Sequence, residues 1–107
     1  MIPQISAGEL KRRLDTPGDT TYLLDVRETG EFAFCNIPGS TLIPLGELPG
    51  KAGTLPPDRD IVVICHHGNR SNRAAAFLQQ ARGLRVLNLA GGVDAWAQQV
   101  DPAMKRY

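Results

Sequence analysis

The chain reads as an α/β protein, with a mainly parallel sheet and helices packed on both faces. Short aliphatic runs such as Tyr22-Leu23-Leu24-Asp25-Val26 and Ile61-Val62-Val63-Ile64 alternate with segments whose apolar residues recur at helical spacing. The run at Ile61 is apolar without interruption, the mark of a strand covered on both faces. A length of 107 residues gives one domain, residues 1–107, with a single modest core.

Gln4-Ile5 is expected to open the sheet as a short strand. Ser6-Ala7-Gly8-Glu9 has the form of a capping box, which starts a helix through Leu14 with Leu10 and Leu14 facing inward. Pro17-Gly18-Asp19 makes a turn into the strand Tyr22–Val26. Glu28 to Phe34 has the pattern of a short helix with Phe32 toward the core. Pro38 and Gly39 fix a loop before a short strand at Thr41-Leu42-Ile43, and Leu45 to Leu48 suits a single helical turn. The Pro- and Gly-rich stretch from Pro49 to Asp60 reads as a surface connection.

After the strand at Ile61, apolar residues at Ala74, Phe77, Leu78 and Ala81 mark one face of a helix that Gly83 stops. Arg85–Leu89 is the next strand. Ala90-Gly91-Gly92 turns into a last helix, Val93–Val100, with Val93, Trp96, Ala97 and Val100 inward. Asp101-Pro102 ends it, and Met104 to Tyr107 reads as a tail.

Composition sets limits on function. A net charge of +1 gives no bulk attraction to nucleic acid or membrane, and no apolar run approaches the ~20 residues that span a bilayer. The N-terminus lacks a basic segment followed by an apolar one, so no signal peptide is expected and the reading is cytoplasmic. Cys35 and Cys65 have no metal-ligand spacing, so neither metal nor cofactor is expected, and in a reducing compartment both thiols should be free. All 11 acidic residues lie outside the window Ile61–Val93, which holds Arg70, Arg73, Arg82 and Arg85 with His66 and His67. Arg82 and Arg85 read as solvated surface, whereas Arg70 and Arg73 flank the segment where chemistry is expected.

That segment is Cys65-His66-His67-Gly68-Asn69-Arg70-Ser71. Cys65 stands where a buried strand ends, and a helix starts a few residues later. A loop closing into a helix start points several N–H groups and the positive end of the helix dipole at one place, which favours an anion there. A thiol held there is stabilised as thiolate, the nucleophilic form. Asp25 and Arg27 end another strand, so they fall on the same rim of the sheet.

Leu24-Asp25-Val26-Arg27-Glu28, Glu31-Phe32 with Asn36-Ile37-Pro38-Gly39-Ser40 and Ile43-Pro44-Leu45, the Cys65 loop, and Leu89-Ala90-Gly91-Gly92-Val93-Asp94-Ala95-Trp96 follow one another in an order and spacing that resemble the single-domain rhodaneses. The resemblance covers nearly the whole chain. It implies a rhodanese-like three-layer fold around a five-stranded parallel sheet. It also implies a nucleophilic cysteine, Cys65, that carries sulfur as a persulfide. One departure is Cys35-Asn36, where the family often has Gly-His. Asn36 can still hydrogen-bond, and Cys35 is expected to be buried and inert.

The chemistry expected is a thiosulfate sulfurtransferase. Cys65 takes a sulfane sulfur from a small anionic donor such as thiosulfate or from a persulfide, and gives it to cyanide, a low-molecular-weight thiol or a partner protein. His66, His67, Gly68, Asn69, Arg70 and Ser71 would bind the donor, with Arg70 holding its charge. Asp25 and Arg27 would fix the rim by hydrogen bonds, with Arg73 in support. His66 and His67 read equally well as solvent-facing loop residues without a chemical role.

Other classes stay open at this point. A phosphatase is the poorer fit, since tyrosine phosphatases place five residues between Cys and Arg and this loop places four, and the loop has no Asp to act as acid. A sulfur-relay or regulatory binding module slow with thiosulfate is the runner-up. A redox-sensing thiol, with Cys35 resolving Cys65, requires the two sulfurs to lie close together.

Overall fold

The Ile61–Ile64 run forms the middle strand of a five-stranded sheet, parallel at every pairing. The computed structural model describes residues 1–107. In chain order its elements are β1 (Gln4–Ile5), α1 (Ala7–Leu14), β2 (Tyr22–Asp25), α2 (Thr29–Phe34), β3 (Thr41–Leu42), α3 (Leu48–Lys51), β4 (Ile61–Ile64), α4 (Asn69–Arg82), β5 (Val86–Leu89) and α5 (Gly92–Gln99). Single 3-10 turns at Leu45–Glu47 and Ala52–Thr54 flank α3. The strand order is β1-β5-β4-β2-β3, so the two central neighbours of β4 come from opposite ends of the chain.

β4 is fully buried because alternate residues serve two cores. Ile61, Val63 and Cys65 join Leu24, Val26, Leu48, Ala52, Ala74, Ala75 and Leu78 on one side. Val62 and Ile64 join Leu10, Leu23, Ile37, Val93 and Trp96 on the other. Helices therefore cover both faces, as the uninterrupted apolar strand requires.

Several local expectations hold. Ser6 caps α1 by accepting from the Glu9 N–H at 3.1 Å, and Glu9 accepts from the Ser6 N–H at 2.9 Å. Gly83 ends α4 with φ of 64°.

Others are corrected. Leu14 is 36% exposed, because α1 ends there and only Ala7 and Leu10 reach the core. Phe32 is half-buried and α2 has no fully buried residue. The segment after Pro49 is no plain surface connection: it stays helical through Thr54, and Ala52 and Leu55 are buried.

The buried face of α4 is Ser71, Ala74, Ala75 and Leu78, while Phe77 is 38% exposed and Ala81 is exposed. The helix starts two residues before Ser71, at Asn69, and small residues let it lie close on the sheet. The spacing placed Ala74 and Leu78 correctly, but the buried stripe runs through Ser71 and Ala75 rather than Phe77 and Ala81.

Candidate active site

Cys65 follows the last residue of β4, is 1% exposed, and sits beneath the N-terminus of α4. Its Sγ receives the Gly68 N–H at 3.0 Å and lies 3.2 Å from Ser71 Oγ. Gly68 caps α4 in the left-handed region, φ 105°, which is what turns its N–H back to the sulfur. A backbone N–H, a hydroxyl and the N-terminus of α4 thus converge on Sγ.

The loop is pressed into shape from behind. The Val93 N–H donates to the Cys65 carbonyl at 2.9 Å and the Asp94 N–H to the His66 carbonyl at 3.2 Å. These are free donors of the first turn of α5, satisfied by the loop's carbonyls. Gly92, with φ of 59°, lets that helix approach so closely that a Cβ there would fall 2.3 Å from the Cys65 carbonyl oxygen.

Ser71 is held by Asn88, a residue buried in β5. Asn88 Oδ1 accepts from Ser71 Oγ in a short contact, and Asn88 Nδ2 donates to the Gly68 carbonyl at 3.1 Å and to Gln4 Oε1 at 2.8 Å. Ser71 has one hydroxyl proton, so it serves either Asn88 or Cys65 at any moment. Asn88 escaped sequence reading, although a polar residue within the apolar run Val86-Leu87-Asn88-Leu89 was a visible signal.

Asp25 and Arg27 pair with each other at the end of β2. Both side chains are fully buried, and Arg27 donates to Asp25 through Nε at 3.0 Å and Nη2 at 2.8 Å. Arg27 Nη2 also binds the Cys35 carbonyl at 2.7 Å, tying β2 to the loop after α2. Burial lowers the Arg27 pKa, but its hydrogen bonds to Asp25 and Tyr107 outweigh this and the net shift is upward. Asn36 holds its loop through Phe32, donating to that carbonyl at 2.9 Å. Cys35 is 8% exposed and belongs to the core on the other side of the sheet from Cys65, an arrangement that disfavours a redox pair.

Arg70 does not present a free guanidinium. It grips Glu31 through both nitrogens, at 2.7 and 2.8 Å. The acid-free window is thus acid-free only along the chain, because α2 delivers Glu31 to it and α5 delivers Asp94. His67 is 59% exposed with Nδ1 4.0 Å from Asp94. Asn69 is exposed, and with His67, Gly68, Asn72, Asn88 and Gly91 it bounds a polar cavity of about 350 Å³ that Cys65 does not line. Arg73 is exposed on α4 and no hydrogen bond or ion pair joins its side chain to the loop.

The tail also returns to the site. The Tyr107 ring stacks on His66, centroids 3.8 Å apart and planes within 8°. Its hydroxyl accepts from Arg27 Nη1 at 2.9 Å and donates to Glu31 Oε2 at 2.8 Å. Burial, then the Glu31 contact against the opposing pull of Arg27, pushes the phenol up to about 12. Burial, then the adjacent His67, lowers the His66 pKa from its ordinary value. No sequence signal marked Glu31 or Tyr107 as partners, because each is brought in from a distant part of the chain.

Comparison with known proteins agrees with this architecture. The family model described as Rhodanese-like domain matches residues 6–99. The chain belongs to the rhodanese-like family. A sulfurtransferase of Allochromatium vinosum is 39% identical over 98 residues, covering 92% of this chain and 91% of that protein. YrkF of Bacillus subtilis, named as a sulfur carrier protein, is 35% identical over 100 residues, 94% of this chain but 54% of that protein. The crystal structure of a rhodanese-related protein from Thermoplasma volcanium superposes with a TM-score of 0.83 at 37% identity, over 92% of this chain and 93% of that one. The rhodanese-related structure thus shares the fold seen here, and sulfur transfer is the activity that membership supports. No helix is long and apolar enough to cross a membrane.

Proposed function

We propose that this rhodanese-like sulfurtransferase works through a persulfide on Cys65. The observation that carries the proposal is the pair of donors, Gly68 N–H and Ser71 Oγ, converging on Sγ at the start of α4. In a ping-pong cycle the Cys65 thiolate attacks the sulfane sulfur of a donor. With thiosulfate, the bond between the two sulfurs breaks and sulfite leaves with its electron pair. With a persulfide, the carrier thiolate leaves. The new terminal sulfur of Cys65 is stabilised by the N–H groups of the loop, and a thiol, cyanide or partner protein then removes it. His66, His67, Gly68, Asn69, Arg70 and Ser71 shape the donor site, while Asp25 and Arg27 support the rim; Arg73, exposed and without a contact to the loop, is assigned no role. A reducing, cytoplasmic setting suits two free buried thiols.

A relay role is the second reading, favoured by the likeness to YrkF, a protein named as a sulfur carrier. In that role the acceptor is a protein.

The test is intact mass after incubation with thiosulfate or an organic persulfide, for the native protein and for Cys65→Ser. A gain of one sulfur, lost in Cys65→Ser, is expected. No gain with any sulfane donor overturns the reading.

A further inference from the structure

We propose that Glu31, held by Tyr107, is a selectivity element that withdraws Arg70 from anionic donors, so that the site takes sulfur from a thiol-borne persulfide in preference to thiosulfate. This rests on the Cys65 persulfide reading above and assigns its donor class.

Thiosulfate brings a sulfonate end as well as a sulfane sulfur, and that end needs a cation. The fold brings two guanidinium groups to this rim, and both are committed. Arg27 is fully buried and bound to Asp25, the Cys35 carbonyl and Tyr107. Arg70 gives both terminal nitrogens to Glu31, and the two side chains are only 32% and 23% exposed. A bidentate pair in a half-buried place is weakly screened and geometrically matched. An incoming dianion must displace Glu31 or lie beside a second negative charge.

Glu31 is not free to swing away. Its Oε1 also accepts from the Glu28 N–H at 3.1 Å, and its Oε2 accepts from the Tyr107 hydroxyl at 2.8 Å. Tyr107 is itself fixed by Arg27, by the stack on His66 and by an edge contact with Phe34 at 5.8 Å. A persulfide presents only a terminal sulfur to the reacting centre, and that sulfur asks for the loop N–H groups rather than for Arg70. When Cys65 attacks it, the bond between the two donor sulfurs breaks, the carrier thiolate leaves with the electron pair, and Cys65 keeps the outer sulfur.

The experiment compares rates of sulfur loading onto Cys65 from thiosulfate and from cysteamine persulfide, a donor with no anionic group beyond the persulfide. In Glu31→Gln the ratio of kcat/KM for thiosulfate to that for the persulfide should rise about tenfold, mostly through the thiosulfate KM. Tyr107→Phe keeps the ring stack but removes one of the two donors on Glu31 Oε2, leaving Arg70 alone there, and should move the ratio the same way by a smaller factor. If neither donor loads the native protein, the persulfide reading itself fails. If both load it and neither variant moves the ratio, the selectivity role is overturned while the persulfide reading stands. Should Glu31→Gln not fold, Tyr107→Phe alone decides.

Discussion

Glu31 and Arg70 stand 39 positions apart in the chain and meet through two hydrogen bonds of 2.7 and 2.8 Å. The pair joins α2 to the first turn of α4, so it ties the start of the helix that follows the Cys65 loop to α2. The Arg70 guanidinium, aided by the Glu28 N–H and the Tyr107 hydroxyl, holds the Glu31 carboxyl down to about 2 despite partial burial. A carboxyl whose folded pKa is depressed contributes stability above its ordinary range and loses it as pH falls. The difference in unfolding free energy between the native protein and Glu31→Gln should therefore be full above the ordinary value of 4.5 and close as pH falls toward about 2. Urea titrations across that interval check it, and a difference independent of pH would contradict the pairing.

Asp25 makes a different kind of contact. Its carboxylate faces the Arg27 guanidinium with both side chains fully buried. Removing one charge of a buried pair leaves the other without compensation, which costs about 3–5 kcal/mol. Asp25→Asn should lower stability by that order, with loss of sulfur transfer following from loss of fold. The variant's unfolding midpoint in urea tests this. A loss below about 1 kcal/mol would mean that solvent reaches Arg27 more readily than its burial indicates.

The parts legible in the sequence were those written locally. The uninterrupted Ile61–Ile64 run announces a central strand, and Ser6 with Glu9 announces a helix start, because each pattern needs only neighbours along the chain. Cys65 stood out for the same reason, at a strand end with Gly68 and Ser71 close by. Contacts made across the chain were hidden. Arg70 looked free because its acid comes from α2. Tyr107 looked like the end of a tail because its partners, His66, Arg27 and Glu31, are assembled only by the fold. The α4 stripe was placed correctly at Ala74 and Leu78 but extended to Phe77 and Ala81, since apolar spacing along the chain passes over Ser71, a polar residue that the fold buries.

Ser71 serves the sulfur and Asn88 with one proton. Ser71→Ala leaves Cys65 Sγ with the Gly68 N–H alone and leaves the buried Asn88 Oδ1 without a donor. The unsatisfied acceptor costs about 1–3 kcal/mol, which a domain of ordinary stability survives. The rate of persulfide formation should fall by a larger measure, about tenfold or more, because a preorganised donor is lost at the atom where charge changes. Single-turnover loading followed by mass, on protein shown to unfold cooperatively, separates the two effects. An unchanged rate would leave Ser71 with a packing role only.

Gly92 tests whether the loop depends on α5 as the geometry requires. Its backbone sits at φ of 59°, and an added Cβ would meet the Cys65 carbonyl oxygen at 2.3 Å and the His66 carbonyl oxygen at 2.4 Å. These are backbone atoms, so no side chain can step aside. They are also the acceptors of the Val93 and Asp94 N–H groups, so any retreat of α5 unpairs them. Gly92→Ala should cost several kcal/mol and displace the loop, since strain at φ above zero and a backbone clash act together. Gly46→Ala is the matched control, with nothing within 4 Å of its Cβ position and no positive φ. It should change stability by no more than about 0.5 kcal/mol and leave sulfur loading intact. Equal effects from the two substitutions would show that α5 does not set the shape of the Cys65 loop.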